Sequence, residues 1–461
     1  MHETSTLQSK LKLFITILIP ILITQVTMST MNFVDTVMSG RAGASDLAGV
    51  AIGSSLWVPI FTGINGILIA ITPIISQLIG ANATKDISKK VKQGIYLSVA
   101  LAIAVLAVGS IVLQPILQSM DLESSVRHTA KYYLVALGTG IIPLFIFNTL
   151  RNFIDAHGKT RISMMIILIS LPLNVLFNYI FIFGKFGVPA FGGVGSGIAT
   201  AITYWIVCIV AFVIVSKIHP FKGYYILSNW IKPSFAQWWE QLKIGVPIGF
   251  AIFFEVSIFA AVTLFMSVYS THTIAAHQAA INFASLLYMV PLSVGMALTI
   301  AIGYEVGAKR YFDARTYGYI GISSGLFIAI FAGLTLYIFN DFVAGLYSTN
   351  PNVIQLTKQF IYFAIVFQLA DAFGAPIQGA LRGYKDVNIT LIIAFVSYWI
   401  IGLPSGWVLA NFTSLEPFGY WVGLITGLSV GAIALLFRLL HLQNRFTHQD
   451  RRPTQRHKTG I

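Results

Sequence analysis

Twelve apolar runs, each long enough to cross a bilayer, constrain this chain more than any other feature. An α-helix rises 1.5 Å per residue, so about 20 residues cross the roughly 30 Å of hydrocarbon. The runs cover approximately residues 13–38, 47–79, 91–113, 127–150, 162–183, 194–216, 241–268, 273–303, 317–339, 354–381, 389–410 and 420–440. Charged or Gly/Pro-rich segments, such as 80–90 and 184–193, separate them. Only 10% of the 461 residues are charged, against about 25% in soluble domains. That is too few to coat a globule of this size, so most of the surface must face lipid. The first run is too long for a signal peptide's apolar region and no small-residue cleavage site follows it, so it is expected to persist as a span.

The charges test the count, because basic residues collect on the cytoplasmic side of a membrane protein. Of the 29 Lys and Arg, 24 fall on the side holding both termini, and five (Arg41, Arg127, Lys131, Lys185 and Lys358) on the other. A miscounted span would scramble this asymmetry. It therefore supports twelve spans with both termini cytoplasmic, in a plasma membrane. The formal charge of +13 reads as a topology signal, not as affinity for nucleic acid.

The two halves match at an offset of 227. Ile19-Pro20-Ile21 falls on Val246-Pro247-Ile248, Leu47-Ala48 on Ile274-Ala275, and Gly80-Ala81 with Asp86 on Gly307-Ala308 with Asp313. Six spans per repeat is even, so both repeats enter the membrane from the same side. The predicted fold is an all-α polytopic membrane protein, with twelve transmembrane helices in two six-helix bundles related by a pseudo-two-fold axis along the membrane normal. The expected divisions are a bundle at 1–216, a cytoplasmic linker at 217–237, a second bundle at 238–440 and a basic tail at 441–461. Parallel repeats of this kind are typical of alternating-access transporters with sites near the midplane.

Ionisable residues inside a span are expensive and normally face the bundle interior with a task. Asp35, Glu255 and Asp371 are the three mid-span carboxylates. Gln368, Asp371, Ala375 and Gln378 recur at helical spacing in span 10, as do Gln278, Asn282 and Ser285 in span 8, with Tyr288 farther along. In the first half, Gln25, Met28, Asn32 and Asp35 line one face of span 1, and Ser170, Asn174 and Asn178 one face of span 5. Asp35 and Asn178 lie at similar depth, so a second polar cluster is expected there. Hard oxygen ligands suit Na⁺, and a carboxylate that burial keeps protonated suits H⁺; spacing does not choose between them.

With these residues in view, the chain resembles the MATE (multidrug and toxic compound extrusion) family, in its NorM-like branch, across roughly residues 10–440. The resemblance rests on Asn32-Phe33-Val34-Asp35, Asn174 and Asn178, Glu255, Ala275-Ala276-His277-Gln278, Tyr288, Asp371 and the two Gly-Ala loops. It implies secondary active antiport: Na⁺ or H⁺ enters while organic cations or amphiphilic drugs leave. It also implies that Glu255 and Asp371, with Tyr288 and the span 8 Gln278 nearby, hold the coupling cation, and that Asp35, Asn174 and Asn178 form the corresponding first-half cluster. One departure is Phe367, a turn before Asp371, where some NorM-like members carry a tyrosine.

Other signals are weaker. Cys208 is the only cysteine, which excludes an intrachain disulfide. The glycines at 192, 193, 195 and 197 follow no strand and read as an external turn, not a dinucleotide loop. No zinc-protease helix motif, phosphate loop or nucleophile elbow appears, so no enzyme is expected, and no cofactor beyond the coupling ion. Expected partners are small-molecule drugs, a monovalent cation and the lipid bilayer, with the chain a monomer. A related exporter of lipid-linked cargo is the main alternative; it would favour basic residues in its interior, whereas the mid-span charges here are acidic.

Overall fold

The computed structural model describes residues 4–228, 231–347 and 350–450. Among these, eleven single helices are long and apolar enough to span a membrane, and a bent pair makes a twelfth. They are α1 (Leu7–Ala42), α2 (Ala44–Gly80), α3 (Thr84–Ser119), α4 (Ser124–Gly138 and Ile141–Ala156, meeting at 51°), α5 (Thr160–Phe183), α6 (Gly193–Lys217), α7 (Phe235–Val268), α8 (Thr271–Gly307), α9 (Tyr311–Ile338), α10 (Pro351–Gly383), α11 (Val387–Phe412) and α12 (Pro417–Phe446). Each predicted run lies within or close to one of them. The helices overshoot the runs, because hydropathy ends at the first charge whereas backbone hydrogen bonding does not. The last helix continues to Asp450, into the segment expected as a tail; Arg451, Arg452, Arg456 and Lys458 lie outside the described residues.

Local chemistry explains the irregularities. α4 bends at Thr139-Gly140, where a side chain on Gly140 would lie 2.7 Å from the Ala201 Cα of α6. The bend brings α4 against α6 at the one residue type that permits it. α11 contains a π-helical segment, Val396–Gly402, just before Pro404, whose missing N–H breaks the regular ladder. Pro376 interrupts α10 between Asp371 and Gln378, and Pro291 interrupts α8 just after Tyr288.

The chain packs as two compact units. The first contains Ile19–Ile79 and Ala83–Gly249; the second contains the described residues of Met1–Leu18, Gly80–Asn82 and Phe250–Ile461. Residues 217–237, expected as a cytoplasmic linker, belong to the first of these units. Their described residues fold onto α3: Gln93 Nε2 donates to the Lys232 carbonyl at 2.8 Å, and Tyr96 Oη to that of Ile231 at 2.9 Å. The Ser234 amide and the Trp238 indole both donate to Gln93 Oε1, at 2.9 and 3.0 Å. α3 thus supplies partners for partly buried main-chain groups of this segment.

The cuts fall inside α1 and α7, beside Pro20 and Pro247, so each helix starts in one unit and continues in the other. In the second unit Lys10 is buried, pairs with Asp313 at 3.0 Å and lies 6.0 Å from the Tyr317 ring centroid. In the first unit Gln237 accepts from Lys90 Nζ at 2.8 Å. Residues 237 and 90 are 10 and 317 displaced by 227 in opposite senses, so the offset read from the sequence recurs as a contact in each unit.

Within the second unit α8 and α10 cross backbone to backbone at Gly295 and Gly379. A side chain on Gly295 would lie 2.8 Å from the Ala375 carbonyl oxygen. Thr299 Oγ1 donates across to the Gly379 carbonyl at 2.9 Å. Small residues and interhelical hydrogen bonds supply adhesion where lipid removes the hydrophobic drive. On the outside, large apolar side chains such as Phe33, Ile111, Phe327 and Phe331 are exposed, as a lipid-facing surface requires.

Candidate functional site

In the second unit α7, α8, α10 and α11 bring a polar group into an apolar interior. Glu255 on α7 is 7% exposed and Asp371 on α10 is 4% exposed. Tyr288 Oη, from α8, donates to Glu255 Oε1 at 2.8 Å. Gln378 Nε2, from α10, donates to Glu255 Oε2 and to Tyr398 Oη of α11, both at a long 3.5 Å. Trp399 Nε1 donates to the Phe254 carbonyl at 3.2 Å, fixing α11 against the α7 turn that carries Glu255. Asp371 lies within electrostatic reach of Glu255. Among the described residues no side chain hydrogen-bonds its carboxylate. Two buried acids and two phenol groups on four helices thus bring oxygen atoms, the donor type that hard cations take, into the interior of this unit.

The predicted residues divide here. Glu255 and Tyr288 come together, Asp371 lies within electrostatic reach of both, and Gln278 does not join them. It lies ten residues before Tyr288, about 15 Å away along α8, on an exposed face where it donates to Asn282 at 3.0 Å. Helical spacing found the polar face without saying what that face meets. Gln378 and Arg382 join the group instead. Arg382 reads in the sequence as a loop charge, yet it is 7% exposed and donates to Gln378 Oε1 at 3.3 Å. Its four-residue spacing from Gln378 is the signal that could have found it. Phe367 stands edge-on to Trp421, with centroids 6.1 Å apart, and so packs as an apolar ring.

In the first unit Asp35, Asn174, Asn178 and Thr200 close a ring of hydrogen bonds. Asn178 Nδ2 donates to Asp35 Oδ1 at 2.5 Å and to Asn174 Oδ1 at 3.1 Å. Thr200 Oγ1 donates to Asp35 Oδ2 at 3.1 Å and accepts from Asn174 Nδ2 at 3.4 Å. Asn174 and Asn178 are fully buried, as a stripe at spacing 4 on α5 requires. Thr200 carries no sequence signal, being one of several hydroxyls along α6. Asp35 also borders a cavity of about 230 Å³ lined by Met31, Trp57, Phe61, Tyr133 and Tyr204. That falls below the roughly 300–1,000 Å³ of drug-sized pockets.

Further buried charges escaped the sequence reading. Arg151 and Asp155, one turn apart on α4, are 4% and 6% exposed, and Glu305 on α8 is 1% exposed against Arg310 at 2.6 Å. Each lies near a span end, where hydropathy assigns charge to loops.

Comparison with known proteins adds an independent view of the repeat. The MatE family model matches residues 20–180 and again 247–408. The two matches begin 227 residues apart, at Pro20 and Pro247. A probable multidrug resistance protein NorM from Oceanobacillus iheyensis is 65% identical over 445 residues, covering 96% of this chain and all of that one. Another protein of that name, from Halalkalibacterium halodurans, is 56% identical over 451 residues, 98% of each chain. Among solved structures, a MATE protein in a straight conformation superposes with a TM-score of 0.86 at 17% identity, over 95% of this chain and 97% of that one, a likeness of fold. The chain belongs to the MatE family of multi-pass membrane proteins, with one copy of the family's unit in each half.

Proposed function

We propose that this protein is a secondary active multidrug efflux transporter, exporting organic cations and amphiphilic drugs in antiport with Na⁺ or H⁺ by alternating access. The NorM relatives, named for multidrug resistance, support the cargo class. The observation that carries the coupling is the Glu255–Asp371 pair: two buried acids within electrostatic reach of each other, of which, among the described residues, Glu255 alone accepts side-chain hydrogen bonds. A cation that neutralises the pair makes its burial favourable. An incoming ion and an outgoing organic cation then compete for the same charge. Linkage requires that each weaken the other by the same factor. The 24-to-5 split of basic residues supports termini at the cytoplasmic face of the plasma membrane. In the first unit Asp35, ringed by Asn174, Asn178 and Thr200 beside an aromatic-lined cavity, supplies a second acidic contact for a cationic ligand.

The buried Arg151 and Arg382 favour a second reading, export of anionic lipid-linked cargo. Ethidium efflux from cells lacking their own exporters separates the two, driven in turn by an imposed Na⁺ and an imposed proton gradient. Antiport predicts efflux that follows one gradient and collapses in Glu255→Gln and Asp371→Asn, with Asp35→Asn reporting on the first unit. Normal expression with no gradient-driven efflux would replace drugs by lipid-linked cargo. Tyr288→Phe makes a finer test. It removes the phenol hydroxyl that donates to Glu255, a bond to a charged group worth about 1.5–3 kcal/mol. The ion concentration for half-maximal efflux is expected to move by about tenfold or more, with protein abundance unchanged.

A further inference from the structure

Gln378 stands between a guanidinium and a carboxylate. It lies on α10 and is 4% exposed; Arg382, one turn farther on, is 7% exposed. Arg382 Nη2 donates to Gln378 Oε1 at 3.3 Å. On the other side of the amide, Gln378 Nε2 faces Glu255 Oε2 of α7 and Tyr398 Oη of α11, each at 3.5 Å. A guanidinium has donors only and keeps its proton, so the end of the amide that meets it must be the oxygen. The nitrogen is thereby turned towards Glu255. The two ends of an amide are nearly alike in size, so shape alone would accept either orientation.

We propose that Arg382 fixes the polarity of the Gln378 amide and so keeps a carbonyl ligand out of the cation site at Glu255. The inference rests on the reading of Glu255 as part of the coupling site, and deepens it by naming a residue that sets ligand preference. Glu255 Oε1 already accepts from Tyr288 Oη at 2.8 Å, and Oε2 faces the amide N–H group. An N–H directed at the site supplies no ligand to a cation. Turned over, the amide would put its oxygen where Nε2 now lies, 3.5 Å from Glu255 Oε2 and from Tyr398 Oη. Oxygens at that spacing share one hard cation held at roughly 2.3–2.6 Å from each. Such a site would favour a small metal ion strongly over a bulky organic cation, which takes no oxygen into direct coordination. With the carbonyl turned away, charge dominates for both ligands and they compete on closer terms. Exchange needs that balance, because an ion held too tightly is not displaced by drug. Arg382 is therefore a positioning residue, acting on the ligand through Gln378.

The test is competition on the purified full-length protein, with Na⁺ displacing bound, labelled tetraphenylphosphonium at constant ionic strength. Arg382→Met keeps an unbranched side chain but has no donor. It is expected to raise Na⁺ affinity relative to that of tetraphenylphosphonium by about tenfold or more, the effect of one dipole aimed at a charge. Arg382→Lys still donates to Oε1 and is expected to keep the wild-type ratio. Loss of the positive charge raises the affinity for both monocations, so the ratio removes most of that effect. A double-mutant cycle with Gln378→Leu removes the rest: in that background Arg382→Met is expected to leave the ratio unchanged. Removing one partner of a buried charge network is destabilising, so Gln378→Leu alone carries the test if Arg382→Met does not fold. An amide that offers no oxygen to the cation can be lost without weakening Na⁺ relative to the organic cation. The proposal is overturned by an unchanged ratio in Arg382→Met, by a shift that persists in the Gln378→Leu background, or by an Arg382→Lys variant that behaves like Arg382→Met. A fall of about tenfold in relative Na⁺ affinity in Gln378→Leu would also overturn it, since the carbonyl would then already be a ligand. Tetraphenylphosphonium binding that survives undiminished in Glu255→Gln would overturn the cation-site reading itself, and the proposal with it.

Discussion

Glu255→Gln is expected to lower gradient-driven efflux at least about a hundredfold while leaving the fold standing. At 4 Å and an effective dielectric of about 20, a carboxylate contributes about 4 kcal/mol to holding a cation, and each 1.4 kcal/mol is tenfold in affinity. Glutamine removes that attraction yet keeps the geometry. Its carbonyl oxygen still accepts from Tyr288 Oη, the donor that now lies 2.8 Å from Glu255. Structural collapse would lower protein abundance and thermal stability together with transport; loss of the charge lowers transport alone. The measurement is therefore efflux normalised to membrane abundance, with a melting curve on the purified variant. Efflux that persists at wild-type rate would remove Glu255 from the coupling site.

Gly379→Val is expected to have the largest effect on stability. A Cβ at this position would fall on the Gly295 backbone of α8, which no side-chain rearrangement relieves. Separating α8 from α10 would also break the 2.9 Å bond from Thr299 Oγ1 to the Gly379 carbonyl. Overpacking typically costs about 1–3 kcal/mol when side chains can shift, and a backbone clash exceeds that range. A loss of folded protein from the membrane, or a fall of many degrees in the melting temperature, is the expected result. The contrast is Gly109→Ala on α3, where nothing lies within 4 Å of the added carbon. Relief of glycine's backbone entropy by about 1 kcal/mol makes that substitution neutral to stabilising.

Much of this architecture is legible in the sequence, because lipid imposes a simple grammar. A span needs a run of apolar residues, so all twelve could be found and their number tested by the basic residues. The repeat was legible through punctuating residues such as Pro20 and Pro247, which hold their places because helix breaks are structural. The mid-span acids were legible because a charge in hydrocarbon is conspicuous. What escaped was the tertiary neighbourhood. Gln278 and Gln378 sit in stripes of the same period, yet one is exposed and the other reaches Glu255. Arg382 lies where hydropathy ends a helix, and hydropathy cannot distinguish a buried guanidinium from a loop charge. The unit boundaries were equally hidden. α1 and α7 each pass from one compact unit to the other in mid-helix, and no compositional shift marks the passage.

In the proposed antiport, movement of an organic cation one way is tied to movement of a small cation the other way through Glu255 and Asp371. Its most direct test is reciprocal flux in proteoliposomes. An imposed tetraphenylphosphonium gradient, with no ion gradient present, is used to drive labelled Na⁺ and, in a separate trial, protons. The account predicts that one of the two ions moves against the drug in wild type and that neither moves in Glu255→Gln. Drug that crosses the membrane without displacing either ion would contradict it.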